Sequence, residues 1–253
     1  MNEYENNKNA EELEEMEKWK KAAIKQEKII ASEYREAFKL FLVTFIIVFV
    51  VFGALKVARN TASNLIESAA TKPIIYLYPT EETTVSVKVG YPDMMTHIYP
   101  EYNNGWNVLA QPNGDLVDLN TGRYQYSLYY ECENKYPYEV TDTGFVVENE
   151  AVIPFLEEKL AILGLSERET AEFIIYWLPI LESNEYNYIR FATYDEIESN
   201  MPLNIQPKPD SLIRVMMLVK GLEKPIEVTE QILETPERTG FTVVEWGGVK
   251  ILN

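Results

Sequence analysis

The chain has 253 residues, of which 46% are hydrophobic and 12% aromatic, so most of it can bury a core and global disorder is excluded. Its net charge of −17 is uneven: residues 1–60 hold 10 basic and 10 acidic side chains, whereas residues 61–253 hold 13 basic and 30 acidic ones. A surface this acidic repels nucleic acid and anionic headgroups and suits cations, basic partners or neutral substrates, unless it serves only solubility.

Residues 1–39 form a charged arm whose composition predicts a helix. Residues 10–39 are rich in Glu, Lys and Ala and contain neither Gly nor Pro. Glu14 and Lys18 stand four residues apart in the favourable order for a helical ion pair. We expect this helix to continue into the apolar run that follows, and either to be solvated alone or to self-associate through residues 10–55 as a short coiled coil.

Residues 40–58 are predicted to cross a membrane as one transmembrane helix. Residues 40–55 read LFLVTFIIVFVVFGAL, carry no charge and are bounded by Lys39 and Lys56. As a helix this run is about 24 Å long, slightly short of a hydrocarbon core of about 30 Å, and the two lysines can snorkel toward the headgroups. A buried core helix is the alternative, but the run lacks a polar face.

The basic residues that flank the apolar run predict its orientation. Six lie on the N-terminal side and three on the C-terminal side: Lys20, Lys21, Lys25, Lys28, Arg35 and Lys39 against Lys56, Arg59 and Lys72. This asymmetry predicts a cell-membrane protein with a cytoplasmic N-terminus and an extracytoplasmic domain at residues 73–253. A cleavable signal peptide is the alternative, but 39 residues precede the run, which favours an uncleaved anchor.

After a linker at residues 59–72, patterns of period two predict a series of short strands. Residues 74–79 (IIYLYP) and residues 105–110 (GWNVLA) are two of them. Alternation predicts others around Val85, Val87 and Val89, around Tyr124, Tyr126, Leu128 and Tyr130, and at residues 145–147. Residues 112–115 (PNGD) and 120–122 (NTG) predict turns, because Asn and Gly tolerate positive φ.

A helical hairpin is predicted between the strands. Its first helix has Pro154 in the first turn and ends at Gly164. The second begins with the capping box Ser166-x-x-Glu169 and runs to about residue 178, before Pro179. Strands resume at residues 188–192, 202–205, 211–219 and 241–246, the last closing the fold. This order predicts an α+β fold, mainly antiparallel and sandwich-like, with a helical hairpin insert.

Several strings along the chain are similar to a known group of proteins. They are KPIIYLYP at 72–79, GW at 105–106, YWLP at 176–179, PDS at 209–211 and GFTVVEWGG at 240–248. Over about residues 72–248 the chain resembles an uncharacterised family of bacterial membrane-anchored or secreted proteins. The resemblance implies a bacterial cell-surface setting and transfers no catalytic or binding residue. The long N-terminal arm departs from the family pattern.

The residue inventory argues against several kinds of site, and we predict no metal and no cofactor. One histidine, His97, and one cysteine, Cys132, cannot build a tetrahedral zinc site, and a single cysteine cannot form a disulfide within the chain. No nucleophile elbow and no nucleotide-binding glycine motif occurs. Asp115, Asp118 and Asn120 offer oxygen ligands for Ca²⁺, but they fit polar turns better than a calcium loop.

Carboxylates beside aromatic residues are the weak candidates for a binding or catalytic site. Glu131, Glu182 and Glu245 have such neighbours, and two carboxylates about 5–9 Å apart can hydrolyse glycosides. Four aromatic residues could stack on sugar rings: Trp106, Tyr130, Trp177 and Trp246. The alternative is that these rings are core and that the acids pair with Arg190, Arg214 or Arg238.

Arg214 lies inside an apolar stretch, so it needs a carboxylate or a bound anion, with Asp210 and Glu245 as candidates.

From these patterns we expect a membrane-anchored binding module that recognises a cell-wall polymer or a protein partner. The anchor, the compact β-rich domain and the missing catalytic motifs favour this interpretation. A carboxylate-based hydrolase acting on envelope glycans is the alternative. A structural partner of another membrane protein, joined through residues 10–55, is a third class.

Overall fold

The computed structural model describes residues 16, 18–21, 25–26, 28, 34–35, 38–39, 41–53 and 70–251. It divides the chain into two compact units, Met1–Ser63 and Asn64–Asn253. In the first unit, residues 41–53 are helical with exposed side chains. Searched over the described residues alone, the structure has no helix that is both long and apolar enough to cross a bilayer. Residues 40 and 54–58 of the predicted span, and most of the linker, lie outside the described residues.

The second unit has strands, then a pair of helices, then further strands, as the sequence predicts, and it has a third short helix among the later strands that was not predicted. Its strands are β1 (Ala70–Thr71), β2 (Ile74–Tyr78), β3 (Thr83–Val89), β4 (Met95–Tyr99), β5 (Trp106–Ala110), β6 (Leu116–Asp118), β7 (Tyr124–Gln125), β8 (Leu128–Glu133), β9 (Thr143–Glu148), β10 (Tyr186–Phe191), β11 (Leu203–Gln206), β12 (Ser211–Leu222), β13 (Thr229–Glu230) and β14 (Thr242–Lys250). Its α-helices are α1 (Val152–Ile162), α2 (Glu167–Leu181) and α3 (Tyr194–Asn200).

The strands form two sheets. A nine-stranded sheet has the order β1-β8-β2-β14-β12-β10-β9-β13, with β4 also paired to β8. Two of its pairs are parallel, β12 with β14 and β9 with β13, and the others are antiparallel. The five-stranded sheet, β11-β3-β5-β6-β7, is antiparallel throughout. The prediction of an α+β fold with mainly antiparallel sheets is confirmed.

The nine-stranded sheet separates the core under the helices from the core between the sheets, because successive side chains of a strand point to opposite faces. A smaller third cluster forms around Tyr188, Met216 and Leu218. On β2, Tyr76 packs on the helix side, whereas Ile75 and Leu77 face the five-stranded sheet. The two sheets therefore pack as a sandwich, and the helical hairpin covers the other face. Each of these fully buried side chains contributes about 1.5–3 kcal/mol relative to its exposed state.

The helical hairpin follows the predicted local signals, with one difference. Gly164 adopts φ +84 directly after α1, and Ser166 and Glu169 make both hydrogen bonds of the capping box. However, α2 continues past Pro179 to Leu181, so the predicted stop is wrong. Pro179 has no backbone N–H, so the hydrogen bond to the carbonyl of Ile175 is missing from the last turn of α2. This turn lies at the surface, where the side chain of Ile175 is 75% exposed.

The closing strand is longer than predicted, since β14 runs through Gly247 and Gly248 instead of ending before them. A Cβ on Gly248 would lie 2.4 Å from Cζ2 of Trp177, so glycine is what lets α2 approach this strand. The predicted strand around Tyr124–Tyr130 is also wrong as one element. It breaks at Tyr126 and Ser127 into β7 and β8, which belong to different sheets.

Candidate functional site

The four predicted sugar-stacking rings lie in the two cores. Trp106 and Tyr130 belong to the core between the sheets, and Trp177 and Trp246 to the core under the helices, each at most 3% exposed. The Trp106 indole N–H donates to the carbonyl of Pro100 at 2.8 Å. None of the four presents a ring face to solvent, so the core interpretation describes them and their predicted role in stacking on a ligand is not supported.

The three candidate carboxylates do not meet. Glu245 accepts the Tyr130 hydroxyl, so these two side chains lie on the same face of the nine-stranded sheet. Glu131 directly follows Tyr130 in β8 and therefore points to the opposite face. Glu182 is an exposed residue at the C-terminal cap of α2. The paired-carboxylate geometry of a glycoside hydrolase is therefore not built from this set.

Arg214 and Glu245 form the ion pair that the sequence predicted. The Arg214 Nε donates to Glu245 at 2.5 Å, and its two terminal nitrogens donate to Glu198 at 2.6 Å and to the carbonyl of Met201 at 2.8 Å. Both charged side chains of the pair are 1% exposed. Burial alone would lower the pKa of Arg214, but the carboxylate of Glu245 raises it above its ordinary value.

Tyr130 completes this network by donating its hydroxyl to Glu245 at 2.6 Å. Asp210, the other candidate partner, instead accepts the backbone N–H of Phe241 at 2.7 Å. Each of the three guanidinium nitrogens of Arg214 donates to an acceptor within the domain, and the side chain is 1% exposed, so the guanidinium is not presented to a ligand anion. The network is a structural element between the sheets.

Glu131 is the one predicted candidate in a partly exposed polar cluster. It lies on the helix side of β8, and its side chain is 14% exposed. It accepts the hydroxyl of Tyr129, and both Lys72 Nζ and His97 Nδ1 lie 3.3 Å from its oxygens. The pKa of Tyr129 rises because of burial and the neighbouring carboxylate. Burial lowers the pKa of Lys72, but Tyr176 and Glu131 outweigh this and raise it.

Three exposed tyrosines lie on the same side of the sheet as this cluster. Tyr99 is 53% exposed, Tyr126 is 47% exposed and Tyr176 is 37% exposed. Lys72 Nζ lies 5.7 Å from the Tyr176 ring centroid, and the Arg168 guanidinium lies 5.1 Å from that of Tyr126. We call this surface the tyrosine face, and its members are Lys72, His97, Tyr99, Tyr126, Tyr129, Glu131, Arg168, Glu172 and Tyr176.

Three elements position the tyrosine face. Arg168, Glu172 and Tyr176 follow one another at intervals of four residues, so they form a stripe along α2. Glu172 accepts from Arg168 at 3.1 Å and from the Tyr76 hydroxyl of β2 at 2.5 Å, which fixes the helix over the sheet. β4 supplies His97 and Tyr99, and β8 supplies Tyr129 and Glu131. The other two members, Lys72 and Tyr126, lie in the short segments before β2 and before β8. Of the members of the tyrosine face, the sequence singled out only Glu131 as a candidate. His97 comes to lie opposite Glu131 only through the pairing of β4 with β8, which a single sequence does not show.

The other polar clusters of the domain are structural. Glu169 is fully buried and binds both terminal nitrogens of Arg238 and the Tyr78 hydroxyl, which fastens the chain before β14 to α2. Asp118 accepts from the backbone of Asn120 and from the Thr121 hydroxyl, as a polar turn requires. Among the described residues, no group of His, Cys, Asp and Glu is arranged to hold a metal ion.

Comparisons with known proteins assign no role to these residues. No protein-family model matches the chain, and no solved structure matches it. A curated protein of Butyrivibrio fibrisolvens, described as "Uncharacterized protein in bglA 3'region", is 42% identical over 49 residues. The match spans 18% of this chain and 51% of that protein, so about half the relative's length is covered.

Proposed function

We propose that the chain is a membrane-anchored extracytoplasmic binding module whose tyrosine face contacts a polymer of the cell envelope. The observation that carries the proposal is the half-buried carboxylate of Glu131, held by Lys72, His97 and Tyr129 within a surface of exposed tyrosines. Tyrosine offers a large apolar ring with a polar tip, and ligand surfaces commonly combine such rings with a few fixed polar groups.

The ligand class follows from charge and shape. The acidic excess beyond residue 60 repels anionic polymers, so a neutral or cationic chain is favoured. Sugar rings fit this surface because their apolar faces stack on tyrosine while their hydroxyl groups bind carboxylate and lysine. Binding is proposed instead of hydrolysis, because both carboxylates of the tyrosine face are already engaged. Glu131 is held by Tyr129 and Lys72, and Glu172 is held by Tyr76 and Arg168.

The anchor is supported by the sequence. The uncharged run at residues 40–55 has apolar side chains on all sides, and residues 41–53 are helical. The excess of lysine and arginine before it favours a cytoplasmic N-terminus. A tether of this kind raises the effective concentration of the domain near a surface polymer.

A co-sedimentation experiment tests the binding surface. The full chain, purified in detergent, is mixed with chitin and with insoluble purified cell-wall polysaccharide, and the bound fraction is measured. Tyr176→Ala and Tyr126→Ala are each expected to weaken binding by roughly 2- to 10-fold, the range for loss of one ring contact. Tyr194→Ala, in a 52% exposed residue of α3, is the matched control and should bind normally. An equal loss for Tyr194→Ala, or no binding to either polymer, would overturn the assignment.

Protease treatment of intact cells tests the sidedness. We expect the domain at residues 73–253 to be digested from outside and an N-terminal tag to be protected. Digestion of the tag with survival of the domain would reverse the proposed orientation. Recovery of the full chain in a fraction free of membranes and detergent would rule out the anchor.

A further inference from the structure

The outer edge of β9 is only partly covered. β9 pairs with β10 over residues 145–148 on its inner side. On its outer side β13 pairs with Thr143 and Gly144 alone, and the chain then leaves the sheet after Gln231 donates its N–H to Gly144. The second half of β9 therefore ends the sheet at an open edge.

The hydrogen-bond pattern shows which backbone groups are open. Asn149 donates to Glu185 of the neighbouring chain segment, so odd-numbered residues of β9 turn toward β10. Even-numbered residues turn outward, as the bonds from β13 and Gln231 to Asp142 and Gly144 confirm. Val146 N–H and C=O and Glu148 N–H follow in this series, and no hydrogen bond between described residues occupies them.

A groove of about 820 Å³ lies beside these groups. Its floor is the outer part of β9, and the first turns of α1 and the segment before β13 form its walls. Phe145 and Phe155 supply apolar surface, with ring centroids 5.1 Å apart, and Ile226 on the opposite wall is 41% exposed. The groove is thus open, apolar on one side, and continuous with a row of unpaired backbone groups.

We propose that this edge binds an extended basic peptide segment of a partner protein. The segment would pair with β9 as an added strand, next to the part of β9 that β13 covers. Alternating N–H and C=O groups are complementary to another strand, which selects a polypeptide over a sugar polymer. The lining carries Glu158, Glu227 and Glu230 against one lysine, and that Lys159 already lies 3.0 Å from Glu158 and 3.5 Å from Glu230. The remaining negative charge selects lysine or arginine in the partner.

A peptide titration on the full chain in detergent tests this proposal. The probe is a labelled six-residue peptide in which Lys and Val alternate, and its binding is followed by fluorescence anisotropy at low salt. We expect the same peptide with Glu in place of Lys to bind roughly tenfold or more weakly. Of two versions N-methylated at every second amide, only one should lose binding, because one edge of an added strand faces β9 and the other faces solvent.

Variants of the chain locate the site. Val146→Pro removes an outward N–H without disturbing the bonds to β10, so binding should be lost while the melting temperature stays close to that of the parent. Glu227→Lys with Glu230→Lys should weaken binding roughly tenfold. Glu81→Lys with Glu101→Lys, at exposed positions of the five-stranded sheet region, makes the same charge change as a control.

Amide hydrogen exchange decides the outcome if Val146→Pro fails to fold. Slower exchange at Val146 and Glu148 in the presence of the Lys-Val peptide is the expected result. Equal binding of both N-methylated peptides would overturn the proposal, as would protection confined to other elements or an equal effect of the control charge reversal.

Discussion

Removing the Arg214 guanidinium is expected to be among the most damaging single changes in the domain. In Arg214→Met the Glu245 carboxylate stays 1% exposed, and among the described residues the Tyr130 hydroxyl is its remaining hydrogen-bond partner. The same change removes the Arg214 N–H that donates to the carbonyl of Met201. Breaking one side of a buried ion pair costs about 3–5 kcal/mol, a large part of the roughly 5–15 kcal/mol that stabilises a typical domain.

Urea and thermal unfolding followed by circular dichroism measure this loss. At about 2–4 °C per kcal/mol for a domain of this size, the melting temperature should fall by roughly 6–20 °C. The double variant Arg214→Met with Glu245→Leu should be more stable than Arg214→Met alone, because no charge stays buried without a partner. Arg168→Met is the control: Arg168 is 58% exposed, so its ion pair with Glu172 contributes at most about 1 kcal/mol. An Arg214→Met loss no larger than that of the control, or a double variant less stable than Arg214→Met, would refute the reasoning.

Three further changes test other parts of the fold. Burial raises the pKa of Glu169, but Arg238, the Ser166 N–H and Tyr78 outweigh this and lower it. The stability from this group is therefore complete above the ordinary pKa of about 4.3 and lost as the pH falls through the folded-state value, so Glu169→Gln should flatten the decrease in urea midpoint between about pH 5 and pH 3. Gly248→Ala places a Cβ 2.4 Å from Trp177 and should cost about 1–3 kcal/mol in thermal unfolding, with Trp177→Phe in the same chain reducing that extra cost. Thr193→Ala removes the cap of α3 and should cost about 1 kcal/mol, whereas Thr193→Ser should be nearly neutral in the same assay.

Local chemistry made much of the fold predictable. The valines at 85, 87 and 89 are buried on one face of β3, as their alternation indicates, and the Asn-Gly turn connects β5 to β6 with Gly114 at φ +89. The capping box at Ser166 marks the start of α2. These signals involve residues within a few positions of one another, so a single sequence carries them. α3 carries the same signal in Thr193 and Glu196, but a helix of seven residues is too short to show the apolar periodicity that predicts a helix.

Long-range pairing was not predictable in the same way. The break between β7 and β8 interrupts an alternation that continues unchanged through Tyr124–Tyr130, so the pattern holds no sign that the chain changes sheets. Gly248 looked like the end of a strand because the contact that requires it, with Trp177, comes from a helix about seventy residues earlier. The tyrosine face depends on the register of β4 against β8, which places His97 opposite Glu131.

β8 connects the two polar regions of the domain through the alternation of a single strand. Tyr130 points between the sheets and donates to Glu245, whereas Tyr129 and Glu131 point to the helix side and belong to the tyrosine face. A slip of one residue would bury the Glu131 carboxylate away from Lys72 and His97 and expose the ring of Tyr130, so both regions select the same register. The ion pair that stabilises the sandwich therefore also fixes the geometry of the candidate binding surface, and we expect Arg214→Met to weaken polymer binding although Arg214 lies on the other face of the sheet.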